Sequence, residues 1–471
     1  MRYISTRGEA PAVSFLDAIL RGLAPDGGLY VPESWPSLRP YLRENRGAMG
    51  HAGAAAEALY LFAEDDLSFA GAAALANEAY GPESRFAHPA IAPLKQLDGR
   101  TWLMELFHGP SLAFKDVAMQ LIGALYTEAL ARSGARLTVV CATSGDTGGA
   151  AVEALKGSES VDLFVMLPKG RVSEVQRRFM TASGAANVHP ILIDGDFDDC
   201  QAILKALFAD RAFAESASLS GVNSISWARI VAQAAYFITA SYALGGDGPV
   251  NFVVPTGNFG DAFAGYVAKK MGAPVGRILL ATNTNDILAR TIAAGRYARA
   301  AHSNATISPA MDIQVASNFE RLVFECTGRD PDRTRALYAA FAQSGGFEVP
   351  APALDAMRET FSAVAISDDE TRAAMKAVHA STGELLCPHS AIAAAAAMKG
   401  ADGWNPDGPV VLLATAHPAK FPDTVEVATG VAPPLPAHCA TLYDRPERAD
   451  SLPNDAEAVK RYVRERTRAW R

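Results

Sequence analysis

Little in this chain marks a secreted, membrane-bound or nucleic-acid-binding protein. Cysteine is scarce: there are five, Cys141, Cys200, Cys326, Cys387 and Cys439, and no C-x-x-C pair. An odd, scattered set excludes a disulfide framework and points to reduced thiols. Long apolar runs are missing, and the alanine-rich stretch from Ala391 to Met398 is too short and too weakly apolar to span a bilayer. The opening MRYISTRGEAP lacks the apolar centre of a secretory signal. Positive charge is not in excess: 43 Lys and Arg against 51 Asp and Glu leave a formal net charge of -8. That balance excludes a broad basic face for nucleic acid but leaves room for a local pocket that takes a small anion. No H-e-x-x-H and no Cys/His cluster with ligand spacing occurs, so no metal is expected. No G-x-x-x-x-G-K-[ST] loop occurs either. A cytoplasmic enzyme is the expectation that remains.

What is present suits a globular α/β chain. With 471 residues, 49% hydrophobic and 20% charged, there is enough for a sizeable core and more than one lobe. Residues 1–92 read as helical and alanine-rich, broken by Asp26-Gly27-Gly28, a turn that leads into the short strand Leu29 to Val31. LTVVCA (Leu137 to Ala142), DLFVMLP (Asp162 to Pro168), NFVVP (Asn251 to Pro255), RILLAT (Arg277 to Thr282) and VVLLAT (Val410 to Thr415) are continuous apolar runs. Runs of this kind, joined by helices such as Ala150 to Lys156 and Ala262 to Lys270, predict largely parallel, buried sheets. The division expected is an N-terminal region 1–92, a large lobe from 93–134 and 245–430, a smaller α/β lobe 135–244, and a tail 431–471. Residues 286–381 are a candidate insertion. The charged helix Asp455 to Arg466 reads as a solvated surface element.

Four segments carry chemistry. Thr143-Ser144-Gly145-Asp146-Thr147-Gly148-Gly149 joins a strand to a helix. It reads either as an anion site at a helix N-terminus or as a tight turn capped by Asp or Thr. A carboxylate at Asp146 should accept from a hydroxyl or a protonated nitrogen. Thr256-Gly257-Asn258-Phe259-Gly260-Asp261 has two glycines that let backbone approach a phosphate, and a plain glycine turn is the alternative. Asn223-Ser224-Ile225-Ser226-Trp227-Ala228-Arg229 gathers amide, hydroxyl and guanidinium groups suited to phosphate. A helix cap at Asn223 or Ser224 with a surface arginine explains it as well. In FHGPSLAFKD, Phe114 would hold Lys115 in a partly apolar place, as an amine nucleophile and base needs. An ordinary lysine with a packed stem is the alternative.

Taken in order, these segments resemble the threonine synthases of the long bacterial and fungal class. The resemblance runs nearly end to end, through YISTRG, GLAPDGGLYVP, FHGPSLAFKD, TSGDTG, NSISWARI, PTGNFGD, ATNTND and LATAHPAKF. It implies the two-lobed, tryptophan-synthase-β-like fold of pyridoxal 5'-phosphate enzymes, with parallel-rich sheets and an added N-terminal helical region. It implies a Schiff base between Lys115 and the cofactor. Gly257, Asn258, Phe259, Gly260 and Asp261 would hold the cofactor phosphate end, and Thr415 would serve as a neutral partner of the pyridine nitrogen. Thr143, Ser144, Gly145, Asp146 and Thr147 would face the substrate carboxylate and the ring hydroxyl. Asn223, Ser224 and Arg229 would grip the substrate's own phosphate. His108, Ser111, Asn283 and His417 are supporting candidates. The implied reaction turns O-phosphohomoserine and water into threonine and phosphate. Its rivals are a same-fold serine/threonine dehydratase or phospho-amino-acid lyase, and a non-catalytic anion-binding α/β protein. Monomer and homodimer both remain open.

Overall fold

The computed structural model describes residues 1–39, 49–222, 224–245 and 248–470. Their contacts divide the chain into two compact units. One comprises Met1–His108 and Ser224–Pro433, the other Gly109–Asn223 and Pro434–Arg471. Among the described residues no helix is long and apolar enough to cross a membrane.

The first unit is built on a six-stranded sheet. Its strands run in the order Phe361–Ala365, Val275–Thr282, Val250–Pro255, Val410–Ala414, Thr101–Glu105 and Leu94–Gln96. All neighbours are parallel except the last pair, which is antiparallel. Every residue of Val250–Pro255 and Val410–Ala414 is buried, as the unbroken apolar runs require of strands covered on both faces. Parallel strands end on one side of a sheet. Thr256, Asn283 and Thr415, each following a strand, are therefore set along one edge. Within residues 286–381 the strand Phe361–Ala365 joins the sheet at its border.

The N-terminal region of this unit is helical, with His51–Ala63 and Phe69–Tyr80. A short ladder pairs Tyr3–Ser5 with Tyr30–Pro32. The predicted turn between them is tied by Asp26, whose carboxylate accepts from the N–H groups of Glu9, Ala10 and Gly28 and from the Ser5 hydroxyl. Gly27 supplies the left-handed φ of +78°.

The second unit carries an all-parallel five-stranded sheet, ordered Asp450–Pro453, Val188–Asp194, Val161–Pro168, Leu137–Ala142 and Leu219–Ser220. Its central strands Leu137–Ala142 and Val161–Pro168 are wholly buried. The C-terminal helix, Ala456–Arg466, is more than a solvated element. Val459, Tyr462 and Val463 bury one face in the core formed by Val140, Phe164, Ile203 and Leu207. Charge dominates the composition of that helix, which hides the three-residue apolar stripe. Arg468 then fastens the tail, donating through its backbone N–H (2.6 Å) and Nε (2.8 Å) to the buried Asp162 carboxylate.

Candidate active site

In the second unit, Lys115 is the first residue of the helix Lys115–Ser133. The loop before it is held by Asp116, whose carboxylate accepts from the Ser111 N–H (2.9 Å) and hydroxyl (2.6 Å). Gly109 is needed for this closure, because a Cβ there would stand 2.3 Å from Asp116. Leu112, fully buried, takes a left-handed φ of 63°. Ser111 thus shapes the loop that presents the lysine. The Lys115 side chain is 12% exposed. Its Nζ lies 4.9 Å from the centre of the Phe114 ring and 3.4 Å from Asp146 Oδ2. Asp146 thus faces this amine.

Asp146 begins the helix Asp146–Leu155. Its other oxygen accepts from Gln176 Nε2 at 2.9 Å. Gln176 is anchored in turn, since it forms a reciprocal capping box with Ser173 at the start of Glu174–Thr181. It fills the space beside Gly145, whose φ is +137° and where an added Cβ would approach Gln176 to 2.5 Å. Thr143 engages the loop's own backbone: its Oγ1 accepts from the N–H groups of Gly145 (2.9 Å) and Gly148 (3.0 Å). Thr143 thereby ties the strand-to-helix turn, while the N-cap position of the helix is taken by Gly145, which makes no side-chain cap bond. Ser144 and Thr147 are partly buried beside it. Gln176 was not singled out from sequence; the S-x-x-Q capping spacing was its only local signal.

In the first unit, the loop after Val250–Pro255 leads into the helix Gly260–Lys270. Phe259, the residue before that helix, has a left-handed φ of 63°. The strain is held by aromatic contacts to Phe319 (5.6 Å) and Phe361 (5.4 Å). Gly257 and Gly260 are closely walled: added Cβ atoms would lie 3.0 Å from the Ala310 carbonyl and 3.2 Å from Asn318 Nδ2. Among the described residues, the N–H groups of Gly257, Asn258, Phe259 and Gly260 meet no acceptor. Four such donors at a helix start form a cradle that fits a phosphate. Asp261, one residue further, accepts instead from the buried Tyr236 hydroxyl. Burial first, and the Asp261 charge second, push that phenol well above its ordinary pKa.

Thr415 follows Val410–Ala414 and is 5% exposed. Its N–H donates to Ser390 Oγ at 3.0 Å, and Ser390 Oγ lies 3.1 Å from Cys387 Sγ. Ser390 is a second residue that the sequence did not reveal. Asn223 lies outside the described residues. Ser224 is in a turn, and the helix that follows, Trp227–Leu244, has Ser226 at its N-cap position. Arg229 is 4% exposed, so the surface-arginine reading of this segment is not what the fold contains.

The remaining candidates have internal partners. His108 lies 2.7 Å from Glu105. Burial opposes ionisation of Glu105, but the His108 hydrogen bond and the charges of His108, Lys95 and His88 hold its pKa below the usual value. Asn283 Nδ2 reaches Thr306 (2.9 Å), Ser308 (3.0 Å) and Asp312 (2.8 Å), which ties a loop rather than leaving an open amide. His417 Nδ1 accepts from the Ala419 N–H at 3.1 Å.

Comparison with known proteins identifies the family. The family described as "Pyridoxal-phosphate dependent enzyme" matches residues 86–416. "Threonine synthase N terminus" matches 2–80, and "Threonine synthase, C-terminal" matches 390–463. A threonine synthase of Pseudomonas aeruginosa is 47% identical over 467 residues, covering 98% of both chains. The chain belongs to the threonine synthase family. Another threonine synthase, from Corynebacterium glutamicum, is 39% identical over 98% of each chain. Among solved structures, the pyridoxal-phosphate-bound threonine synthase of Brucella melitensis matches at a TM-score of 0.95 and 49% identity over the full length of both. The yeast threonine synthase matches at 0.92 and 34% identity, covering 99% of this chain and 98% of that one. The tryptophan-synthase-β-like fold and the cofactor class expected from the sequence are those of this family.

Proposed function

We propose that this chain converts O-phospho-L-homoserine and water into L-threonine and phosphate, with pyridoxal 5'-phosphate attached at Lys115. The bound cofactor supplies the electron sink that stabilises charge on the substrate carbons. The observation that carries the reading is the setting of Lys115: an amine at a helix start, 12% exposed, beside one carboxylate and one aromatic face. Such an amine has the placement expected of a covalent anchor. Once released, it can take and return protons at neighbouring carbons.

The N–H groups of Gly257 to Gly260 would hold the cofactor phosphate, and the Thr415 hydroxyl would meet the pyridine nitrogen without charging it. Ser144, Gly145, Asp146 and Thr147 would receive the substrate carboxylate and the ring hydroxyl. Asn223, Ser224 and Arg229 would grip the phosphate that leaves. A retained phosphate would lend an acid or base to the later addition of water. Five cysteines without a disulfide support a reducing, cytoplasmic setting, and the active assembly is a monomer or a homodimer.

The test is to incubate the purified chain with O-phosphohomoserine and assay phosphate and threonine together. Equal yields of the two support the reading. Phosphate with 2-oxobutyrate in place of threonine overturns it in favour of a lyase of the same cofactor class.

A further inference from the structure

Asn318 stands before the helix Phe319–Cys326 yet makes no capping bond to it. Its amide faces two loops of the first unit. Nδ2 donates to the carbonyl of Ser224 at 3.0 Å and to the carbonyl of Asn258 at 3.0 Å. Its backbone N–H donates to the same Asn258 carbonyl at 3.1 Å. The amide oxygen accepts from Arg321 Nη1. A guanidinium only donates, so Arg321 fixes which end of the amide is oxygen. Arg321 is itself fully buried and immobilised. It donates to the Tyr30 carbonyl through Nε (3.1 Å) and Nη2 (3.0 Å), and to the Ile225 carbonyl at 2.7 Å.

In a trans peptide the C=O and the following N–H point in opposite directions. Gripping the Asn258 carbonyl therefore aims the Phe259 N–H away from Asn318, into the glycine loop. Gripping the Ser224 carbonyl aims the Ile225 N–H in the same manner, and the Arg321 bond to Ile225 aims the N–H of Ser226. Holding these carbonyls also keeps their negative ends from turning toward a bound anion.

We infer that Asn318, locked by Arg321, is a positioning residue that orients the backbone donors of both phosphate-binding loops, so that one side chain sets the affinity for cofactor phosphate and for substrate phosphate together. This rests on the reading of those loops given above, to which it adds the Ile225 and Ser226 N–H groups as donors to the substrate phosphate.

Asn318→Asp tests it. The substitution keeps the shape and the acceptor for Arg321, but it sets an oxygen against two carbonyl oxygens. Two affinities are read: pyridoxal phosphate titrated into apoprotein and followed by visible absorbance, and inorganic phosphate titrated into holoprotein by calorimetry. Losing two buried hydrogen bonds should weaken each about tenfold or more. KM for O-phosphohomoserine should rise by a similar factor, with kcat at saturation changing less. Asn318→Ala should do the same. Wild-type affinities in both variants, or a loss confined to one ligand, overturn the inference, and so does a lowered melting temperature with both affinities intact. In the wild-type chain, hydrogen exchange at Phe259 should slow on adding pyridoxal phosphate, and at Ile225 on adding inorganic phosphate; unchanged exchange at both overturns it without any variant. If wild-type chain fails to turn over O-phosphohomoserine, the proposed reaction falls, while the two ligand titrations still decide the role of Asn318.

Discussion

Lys115 and Asp146 are each the first residue of a helix, and they meet across 3.4 Å as amine and carboxylate. The pairing depends on two loops that are each closed by glycine: Gly109 against Asp116, and Gly145 against Gln176. A side chain at either glycine would meet its neighbour at under 3 Å, so the lysine and its partner are placed by backbone geometry.

Replacing Lys115 by Ala should remove the visible absorbance of the purified protein and lower turnover by about 10³-fold or more, because covalent anchor and base are lost together. Absorbance and a phosphate-release assay check both effects. A coloured, active variant would refute the assignment.

Gln176→Ala deprives the buried Asp146 of a donor and breaks a capping box, at a cost of about 1–3 kcal/mol. Gly145→Ala should cost a similar amount, about 1–3 kcal/mol, through its φ and the clash with Gln176. The double variant should be less damaged than the sum, since the new methyl then occupies the space Gln176 left. Denaturant midpoints in a double-mutant cycle measure this coupling. Strict additivity would show that the two residues do not share that space.

His51 should make the first unit acid-sensitive. It is 4% exposed, stacks edge-on against Tyr80 at 4.7 Å, and neither ring nitrogen has a partner among the described residues. Burial lowers its pKa from 6.5 to about 3, so the folded ring is neutral where the unfolded ring would take a proton. The stability it contributes is complete above 6.5 and is lost as pH falls toward about 3. One proton gives a slope of about 1.4 kcal/mol per pH unit within that window. Unfolding of wild-type and His51→Leu chains across the window should diverge by that slope; parallel curves would exclude His51 as the cause.

Thiol reagents should react slowly with the native chain at neutral pH. Burial, with nearby carboxylates, pushes the thiols of Cys200 and Cys326 up to about 12, which keeps them protonated and unreactive. Cys141, Cys200, Cys387 and Cys439 are buried, and Cys326 is half-buried. A disulfide reagent should titrate all five cysteines only after denaturation. Rapid modification of the folded chain would contradict this.

The strands were legible because their chemistry is local. Leu137 to Ala142 was read at its true limits, and Val410 to Thr415 to within one residue, since a run of apolar residues bounded by turn formers has few other uses. The partly apolar setting of Lys115 beside Phe114 was legible for the same reason. Gln176, Ser390, Asn318 and Arg321 were not. Each acts on a residue far away in sequence: Asn318 reaches Ser224 and Asn258 across 94 and 60 positions. An isolated Asn before a helix looks like an ordinary cap. Arg229 was a named candidate, but its burial was not legible, because arginine is seldom buried and only tertiary packing shows that it is.

The placement of Val459 and Val463 bears on synthesis. These side chains complete a core whose other members, Val140, Phe164, Ile203 and Leu207 among them, leave the ribosome far earlier. Until the helix Ala456–Arg466 emerges, that core lacks Val459, Tyr462 and Val463 and leaves part of its apolar surface open to chaperones or to misassociation with neighbouring chains.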